Sequence, residues 1–343
     1  MDPQVTQLQK EAAERPDLIG LAGGLPANEL LPRDALAQAL VDVTTSRDDS
    51  LQYGWPEGTE QVRRWVAERL AARGANVDPD RVIVTAGAQQ ALAIAGTVLR
   101  TSITVGEAAY PGALEAFRQA GATPVARGGE VTYLMVGVEN PRGIAPAQPS
   151  GGIVIADEAY TELRFDGQVP RPYLADAPER TWHVGTISKT IAPGLRIGWL
   201  VPPAADHDAA LELKSARDLQ TSSLTQAALG RLVQTIDYDD LVGRARRVYA
   251  ERAARVCSAL RAHTPLVFGD PEGAFSIWAR TERAGDEVAL LRAALDEGVM
   301  VDPGSMFQVE PSECVTLRVS FSSVPLDRID EGARRLGRAL AAW

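Results

Sequence analysis

The chain contains few of the residues that stabilise disulfide-rich, metal-binding or membrane proteins. Its 343 residues include only two cysteines, Cys257 and Cys314, and three histidines, which provide neither a disulfide framework nor a metal-ligand spacing. No apolar run approaches the ~18 residues of a membrane span, and the first residues lack the basic and apolar regions of a secretory signal. We therefore expect a reduced, cytoplasmic protein without a metal or a membrane partner.

Basic residues are also in deficit. Acidic residues outnumber them by 45 to 35, which gives a formal net charge of −10. This balance disfavours nucleic acid as a partner, because nothing compensates the repulsion by its phosphates. Only Lys10, Lys189 and Lys214 are lysines. A lysine retained in a chain that otherwise uses arginine is a candidate for covalent chemistry through a neutral amine.

The order of the apolar segments indicates a large α/β domain followed by a smaller α+β domain. Short apolar runs alternate with helical segments over 81–201, which predicts a mostly parallel sheet of the seven-stranded type with helices on both faces. Helices over 205–235 and 239–263 follow. We predict an N-terminal segment (1–45) that packs with the small domain, a large domain (46–240) and a small C-terminal domain (241–343).

Polar residues follow the predicted strands at the edge where parallel sheets bind ligands. These positions carry T-A-G-A-Q-Q (85–90), G-E-A-A-Y (106–110), E-N-P-R-G (139–143), D-E-A-Y (157–160) and G-T-I-S-K-T (185–190). Arg196 lies seven residues after Lys189. This set suits pyridoxal phosphate, which needs an amine for a Schiff base, a carboxylate for its pyridine nitrogen, an aromatic face and an anion site.

With these motifs, the chain resembles fold-type-I pyridoxal-phosphate enzymes of the aminotransferase class I and II group. It is most similar to 2-aminoadipate and kynurenine-type aminotransferases and to the aminotransferase-like domain of MocR-type regulators. The matching motifs between Leu21 and Ser322 follow the family's order: L-A-G-G-L-P, Q-Y-G-W-P-E-G, T-A-G-A-Q-Q-A-L, G-E-A-A-Y-P-G, E-N-P-R-G, D-E-A-Y-T-E-L-R-F, G-T-I-S-K-T-I-A-P-G-L-R-I-G-W and L-R-V-S-F-S. The resemblance implies transfer of an amino group from an α-amino acid to a 2-oxo acid.

The resemblance also implies a role for each matching residue. Lys189 would form the Schiff base and move a proton between the substrate and the cofactor, and Asp157 would pair with the pyridinium nitrogen. The remaining cofactor-binding residues would be Tyr160 and Asn140 at the phenolate oxygen, Tyr110 on the ring, and Ala88, Gln89, Thr186, Ser188 and Arg196 at the phosphate. Arg318 would bind the substrate α-carboxylate, and Gly24 would line the side-chain pocket. Tyr53 would reach the phosphate of the partner subunit, which implies a homodimer with shared active sites.

Considered alone, each of these residues could also have a purely structural role instead of the functional one. Lys189 would then be a surface lysine, Asp157 a helix cap and the tyrosines ordinary half-buried side chains. Arg318 lies in an apolar strand, so that its buried charge requires either a structural carboxylate or a ligand carboxylate. We favour the ligand.

Three features depart from the family pattern. Ala108 replaces a proline, and Arg142 places a charge at the mouth of the site, where it either binds an acidic substrate side chain or points to water.

The connections over 121–140 and 143–157 are also much shorter than in relatives. A parallel crossover takes about a dozen residues or more, yet only R-G-G-E (127–130) joins two apolar runs. Either 123–126 is not a sheet strand or it pairs antiparallel with the next strand. Residues 144–151 must return to the opposite sheet edge as an extended strap.

Two other functions compete with transamination. The same cofactor supports elimination, decarboxylation, cyclisation and racemisation, so that a lyase, decarboxylase or cyclase is the first alternative. The second is a cofactor-sensing domain of a MocR-type regulator. We disfavour it because the chain reaches G-G-L-P by Gly23, which leaves no room for an N-terminal DNA-binding module, and because the net charge is negative.

Overall fold

The computed structural model describes residues 3–46, 49–147, 149, 151–282 and 284–343. The helices are α1 (Pro3–Ala13), α2 (Arg33–Thr45), α3 (Glu60–Ala72), α4 (Ala88–Leu99), α5 (Pro111–Gln119), α6 (His207–Asp218), α7 (Ser223–Thr235), α8 (Tyr238–His263), α9 (Glu287–Asp296) and α10 (Ile329–Ala342). The strands are β1 (Ile19–Leu21), β2 (Ile83–Thr85), β3 (Ser102–Thr104), β4 (Thr123–Val125), β5 (Val131–Met135), β6 (Ile153–Asp157), β7 (Thr181–Thr186), β8 (Gly198–Val201), β9 (Val267–Phe268), β10 (Ser276–Arg280), β11 (Val299–Pro303) and β12 (Thr316–Ser320). In this part of the chain, one or two α-helices separate each strand from the next up to β4, the strands β4 to β8 then follow without an α-helix between them, and three helices come next.

The larger sheet contains seven strands in the order β2-β8-β7-β6-β5-β3-β4. Only β8 runs antiparallel to its neighbours, so that the mostly parallel sheet is confirmed. Helices cover both faces. Leu200 and Val201 are neighbours in β8 and point to opposite faces of the sheet. Leu200 belongs to the main core on one face, and Val201 packs with Val66 and Leu70 of α3 on the other. Asp157 ends β6 and Lys189 follows β7, so that both lie at the same edge of the sheet.

Both expectations for residues 123–126 are wrong. β4 is a true sheet strand and pairs parallel with β3 at the edge, while β5 pairs parallel with the other side of β3. The short link therefore crosses β3 directly, and the N–H of Gly129 donates to Thr104 Oγ1 at 2.8 Å. A Cβ on Gly129 would lie 2.6 Å from the Thr104 nitrogen, so that only glycine permits this close passage. Hydrogen bonds to β3 replace the packing of a crossover helix.

The second short connection joins β5 to its parallel neighbour β6. No helix occurs between residues 136 and 152 in the described part of the chain, and the segment returns to the start of β6 as an extended strap. Positions 148 and 150 of this strap lie outside the described residues. A small separate core closes this face of the sheet, and it consists of Leu134, Val136, Val154 and Ala156 packed against Tyr173.

The smaller sheet has the order β1-β11-β12-β10-β9. The sequence pattern did not reveal β1, β9 or β11. β1 is three residues long and pairs parallel with β11, nearly 280 residues later in the chain. α1 packs on α9, and α2 packs on α7.

None of the helices in the described residues is long and apolar enough to cross a membrane. In the same residues, no group of three or more His, Cys, Asp or Glu side chains is arranged to hold a metal ion. Cys257 and Cys314 are both free thiols.

Candidate active site

A cavity of about 110 Å³ opens at the carboxyl ends of β6 and β7. Ten of the residues singled out from the sequence line it: Ala88, Gln89, Tyr110, Asn140, Asp157, Tyr160, Thr186, Ser188, Lys189 and Arg196. They come from six segments of the chain, which the sheet brings together at one edge. Met135, Ala159 and Pro193 complete the lining, and the sequence pattern had not indicated them.

The Lys189 amine lies against two aromatic rings. Its Nζ is 5.4 Å from the centre of the Tyr160 ring and 5.8 Å from that of Phe275. Burial lowers the pKa of Lys189, and the nearby phenol of Tyr110 opposes this shift. An amine with a lowered pKa is neutral for a larger fraction of the time near pH 7, which makes it a nucleophile and a base.

Asp157 is buried at the end of β6, with a side chain held by two neutral donors. Its Oδ2 accepts a hydrogen bond from the Tyr133 hydroxyl at 2.9 Å, and its Oδ1 accepts one from the N–H of Ala159 at 3.0 Å. Burial raises the pKa of Asp157 to about 6, although both hydrogen bonds oppose the shift. A cation placed beside this carboxylate would stabilise the ionised form.

An anion site lies at the start of α4. Gly87 precedes the helix with a φ of 84°, and a Cβ on it would lie 2.6 Å from Arg196 Nη2. Arg196 Nη2 donates to the carbonyl of Ala86 at 3.1 Å, so that its cation lies against the helix N-terminus. The hydroxyls of Thr186 and Ser188 are 2.9 Å apart and also line the cavity. The N–H groups at the start of a helix, an arginine and hydroxyls together favour a phosphate.

Aromatic and amide groups line the rest of the cavity. Tyr110 precedes α5, and burial raises its pKa. The ring of Tyr160 packs edge-on against Phe275 at 5.1 Å, and burial raises the pKa of its hydroxyl. Asn140 Oδ1 accepts a hydrogen bond from Arg318 Nη1 at 3.1 Å. The amide nitrogen of Asn140 is therefore the atom that can donate to a ligand oxygen.

Arg318 hydrogen-bonds to Asn140, which lines the cavity, but is not itself part of the lining. Its Nε and Nη2 donate to Asp302 Oδ2 at 2.9 and 2.7 Å, and the N–H of Gly23 donates to the same oxygen at 2.9 Å. A Cβ on Gly24 would lie 3.2 Å from Arg318 Nη1. The structural carboxylate was the alternative that we had not favoured, and it occupies one edge of the guanidinium. An acidic residue directly before Pro303-Gly304 was the signal in the sequence that we missed.

Two further residues do not join the cavity in the described chain. Tyr53 is 80% exposed and does not line the cavity of its own chain. Of the two alternatives for Arg142, the structure favours the exposed one: Arg142 does not line the cavity, its side chain is 40% exposed, and its Nε donates to Glu139 Oε2 at 2.6 Å. The charge of Arg142 is therefore balanced within its own loop.

Comparisons with known proteins agree with this geometry. A model of the family "Aminotransferase class I and II" matches residues 144–336. The 2-aminoadipate transaminase of Thermus thermophilus is 30% identical over 95% of this chain and 91% of that protein. Among solved structures, LysN, the α-aminoadipate aminotransferase of Thermus thermophilus complexed with N-(5'-phosphopyridoxyl)-L-leucine, covers all of this chain and 97% of its own, with 28% identity and a TM-score of 0.87.

A second solved structure is that of the kynurenine aminotransferase of Pyrococcus horikoshii, with 26% identity, a TM-score of 0.90 and coverage of 100% of this chain and 95% of that chain. Transcriptional regulators of the helix-turn-helix type match as well. One example is the probable rhizopine catabolism regulatory protein MocR of Rhizobium meliloti, which is 28% identical over 95% of this chain and 73% of that protein.

The fold and the cavity define a pyridoxal-phosphate-dependent transferase. The chain belongs to the aminotransferase class I and II family, which confirms the family predicted from its motifs. The residues present fit the cofactor: the cavity offers an amine, a buried carboxylate that accepts hydrogen bonds from neutral donors, and a helix N-terminus with Gly87 and Arg196 for the phosphate.

Proposed function

We propose that this enzyme transfers the amino group of an α-amino acid to a 2-oxo acid, with Lys189 as the residue that binds the cofactor and moves the proton. The single observation that carries the proposal is the meeting of Lys189, Asp157 and the anion site at Arg196 around one cavity. When bound, pyridoxal phosphate supplies an aldehyde that joins to amines and a ring that withdraws electrons from the substrate Cα.

The side chains of this chain then control where protons and charges lie. With its lowered pKa, the amine of Lys189 would accept the proton from the substrate Cα and pass it to the cofactor carbon that had carried the aldehyde. The carboxylate of Asp157 holds the proton on the ring nitrogen. Tyr160 and Asn140 donate hydrogen bonds to the phenolate oxygen, and Tyr110 covers the face of the ring. Ala88, Gln89, Thr186, Ser188 and Arg196 hold the phosphate.

Arg318 binds the α-carboxylate of the substrate through the guanidinium edge that faces Asn140. Its Nη1 already donates to Asn140 Oδ1, which directs this edge toward the cavity. Gly24 leaves space beside the same nitrogen for a substrate. The names of the relatives, which act on 2-aminoadipate and kynurenine, support these amino acids as the first donors to test.

The active enzyme is a homodimer with shared sites. Tyr53 and Trp55 are 80% and 76% exposed, and Leu51 is 69% exposed in the same loop. Large apolar side chains exposed together are typical of an interface. In the dimer, Tyr53 reaches the cofactor phosphate of the partner subunit. A cytoplasmic location and the absence of a nucleic-acid partner remain predictions.

We also propose the division into an N-terminal segment (1–45), a large domain (46–240) and a small domain (241–343). The pairing of β1 with β11 and the packing of α1 on α9 support the link between the N-terminal segment and the small domain. The packing of α2 on α7 ties the same segment to the large domain. Positions 1, 2, 47 and 48 lie outside the described residues.

A panel of amino donors tested with 2-oxoglutarate and pyruvate decides the reaction type. Transamination yields a 2-oxo acid from the donor and a new amino acid from the acceptor, without release of ammonia or carbon dioxide. Release of ammonia without consumption of an acceptor would assign a lyase, and release of carbon dioxide would assign a decarboxylase. Cofactor binding without turnover of any donor would favour the sensing role that the regulators among the relatives suggest.

A further inference from the structure

A row of polar side chains runs from α6 to the loop that precedes α4. Lys214 on α6 is completely buried, and its Nζ donates to Asp218 Oδ1 at 2.6 Å. Asp218 Oδ2 accepts a hydrogen bond from Gln90 Nε2 at 2.7 Å. Gln90 Oε1 in turn accepts one from the N–H of Ala86 at 2.9 Å. Three hydrogen bonds thus connect a buried ammonium group to the backbone beside the anion site.

Ala86 is a residue on which several phosphate-binding groups depend. Its carbonyl accepts the hydrogen bond from Arg196 Nη2, while its N–H is held by Gln90. The next residue, Gly87, begins the turn into α4, whose first N–H groups belong to Ala88 and Gln89. A rotation of the backbone at Ala86 would therefore move both the helix N-terminus and the arginine.

The two hydrogen-bond partners of Gln90, a carboxylate and a backbone N–H, fix the orientation of its side chain. A carboxylate only accepts hydrogen bonds, so that the NH2 group of Gln90 must face Asp218 and its oxygen must face Ala86. In Asp218→Asn, one carboxylate oxygen becomes an NH2 group, which then faces a second donor, either Lys214 Nζ or Gln90 Nε2, so that one of these two hydrogen bonds is lost. Lys214 holds the Asp218 side chain in place, because a buried ammonium group requires a paired carboxylate.

We propose that Lys214, Asp218 and Gln90 are positioning residues that set the geometry of the cofactor phosphate site through Ala86. They do not line the cavity. This inference rests on the proposed function only in that pyridoxal phosphate binds with its phosphate at the start of α4. It also gives Lys214 a role, so that both lysines of the proposed large domain, Lys189 and Lys214, have one.

The test compares the affinity of the apoenzyme for pyridoxal phosphate with that for pyridoxal, which lacks the phosphate. Absorbance titrations are made on the wild type, Gln90→Leu, Asp218→Asn and the control Gln38→Leu, which alters an exposed glutamine on α2. We expect Gln90→Leu and Asp218→Asn to raise the Kd for pyridoxal phosphate by about tenfold or more. The Kd for pyridoxal should change by less than about twofold, and the control should match the wild type.

Two results would overturn the inference. One is an equal rise of both Kd values, which indicates general damage to the cavity, and the other is no change in either. Asp218→Asn keeps the size of the side chain, so that it remains informative if Gln90→Leu folds poorly. A wild type that does not prefer pyridoxal phosphate over pyridoxal would instead contradict the proposed function.

Discussion

The Arg318 guanidinium donates from Nε and Nη2 to one oxygen of Asp302, and the two residues face each other on β12 and β11. Both are buried, with 7% and 5% of their surface exposed. Asp302 therefore neutralises the cation that we propose for substrate binding before any substrate arrives. The strength with which Arg318 attracts an α-carboxylate depends on this internal competitor.

Asp302→Asn should strengthen the binding of carboxylate ligands. The amide keeps the shape of the side chain and can still accept from Gly23, but it removes the competing charge. We expect the Kd for a 2-oxo acid to fall about tenfold, together with a lower stability of the ligand-free enzyme, because Arg318 then lacks a counter-charge. Titration of the wild type and the variant with the 2-oxo acid measures the Kd, and urea unfolding of the two ligand-free proteins measures their stability. An increase in this Kd would mean that Asp302 mainly orients the guanidinium.

Arg318→Met in the Asp302→Asn background should separate substrate binding from cofactor binding. In the single variant Arg318→Met, the buried carboxylate of Asp302 would lose its partner, and the resulting loss of stability would be mixed with the effect on binding. The double variant avoids this. We expect the KM of the amino donor to rise by about 100-fold, since a charged hydrogen-bonded pair is lost, while the content of bound cofactor stays at that of Asp302→Asn. Loss of the cofactor from the double variant would make Arg318 a structural or phosphate-binding residue.

Lys189→Ala should abolish turnover and the visible absorbance of the lysine-bound cofactor. Removal of a general base costs about 10² to 10⁴ in rate, and loss of the covalent link adds to this. Lys10→Ala, which alters an exposed lysine on α1, is the matched control. Borohydride reduction followed by peptide mass analysis identifies the modified residue in the wild type. Modification of a lysine other than Lys189 would refute the assignment.

Asp157→Asn should stabilise the apoenzyme at neutral pH while it inactivates the holoenzyme. Burial raises the folded-state pKa of Asp157 from 3.8 to about 6. The protonated side chain therefore contributes to the free energy of unfolding below pH 4, and this contribution is lost as the pH rises through 6. At pH 8 the apo variant should be more stable than the wild type by about 2–3 kcal/mol, and near pH 4 the two should agree. Urea unfolding of both proteins from pH 4 to pH 8 measures this difference. A constant difference over that range would contradict the prediction.

We expect Tyr53→Ala and Lys189→Ala each to be inactive alone, and mixing them should restore activity if the sites are shared. Tyr53→Ala keeps Lys189, and Lys189→Ala keeps Tyr53, so that a mixed dimer contains one site with both residues intact. After equal amounts are refolded together, about a quarter of the wild-type activity should return, because half of the dimers are mixed and half of their sites are complete. Each variant refolded alone is the control. A monomeric wild type, or no gain on mixing, would disprove the shared site.

Most of the cavity could be predicted because its residues follow apolar strands in local motifs. Asp157 ends β6 and Lys189 follows β7, and parallel neighbours bring their carboxyl ends to the same edge of a sheet. Ten of the residues that line this cavity were therefore found without knowledge of any distant contact. The family motifs then supplied the expected role of each residue.

Contacts between distant residues could not be predicted in this way. Asp302 meets Arg318 through the register of two strands, and Gln90 meets Asp218 across 128 positions of the chain. The position of β4 beyond β3 also depends on whether the backbone of Gly129 can pass over Thr104. Hydrophobic periodicity reports which face of an element is buried, but it does not report which element covers that face. The partners of buried charges follow from the packing of the whole chain.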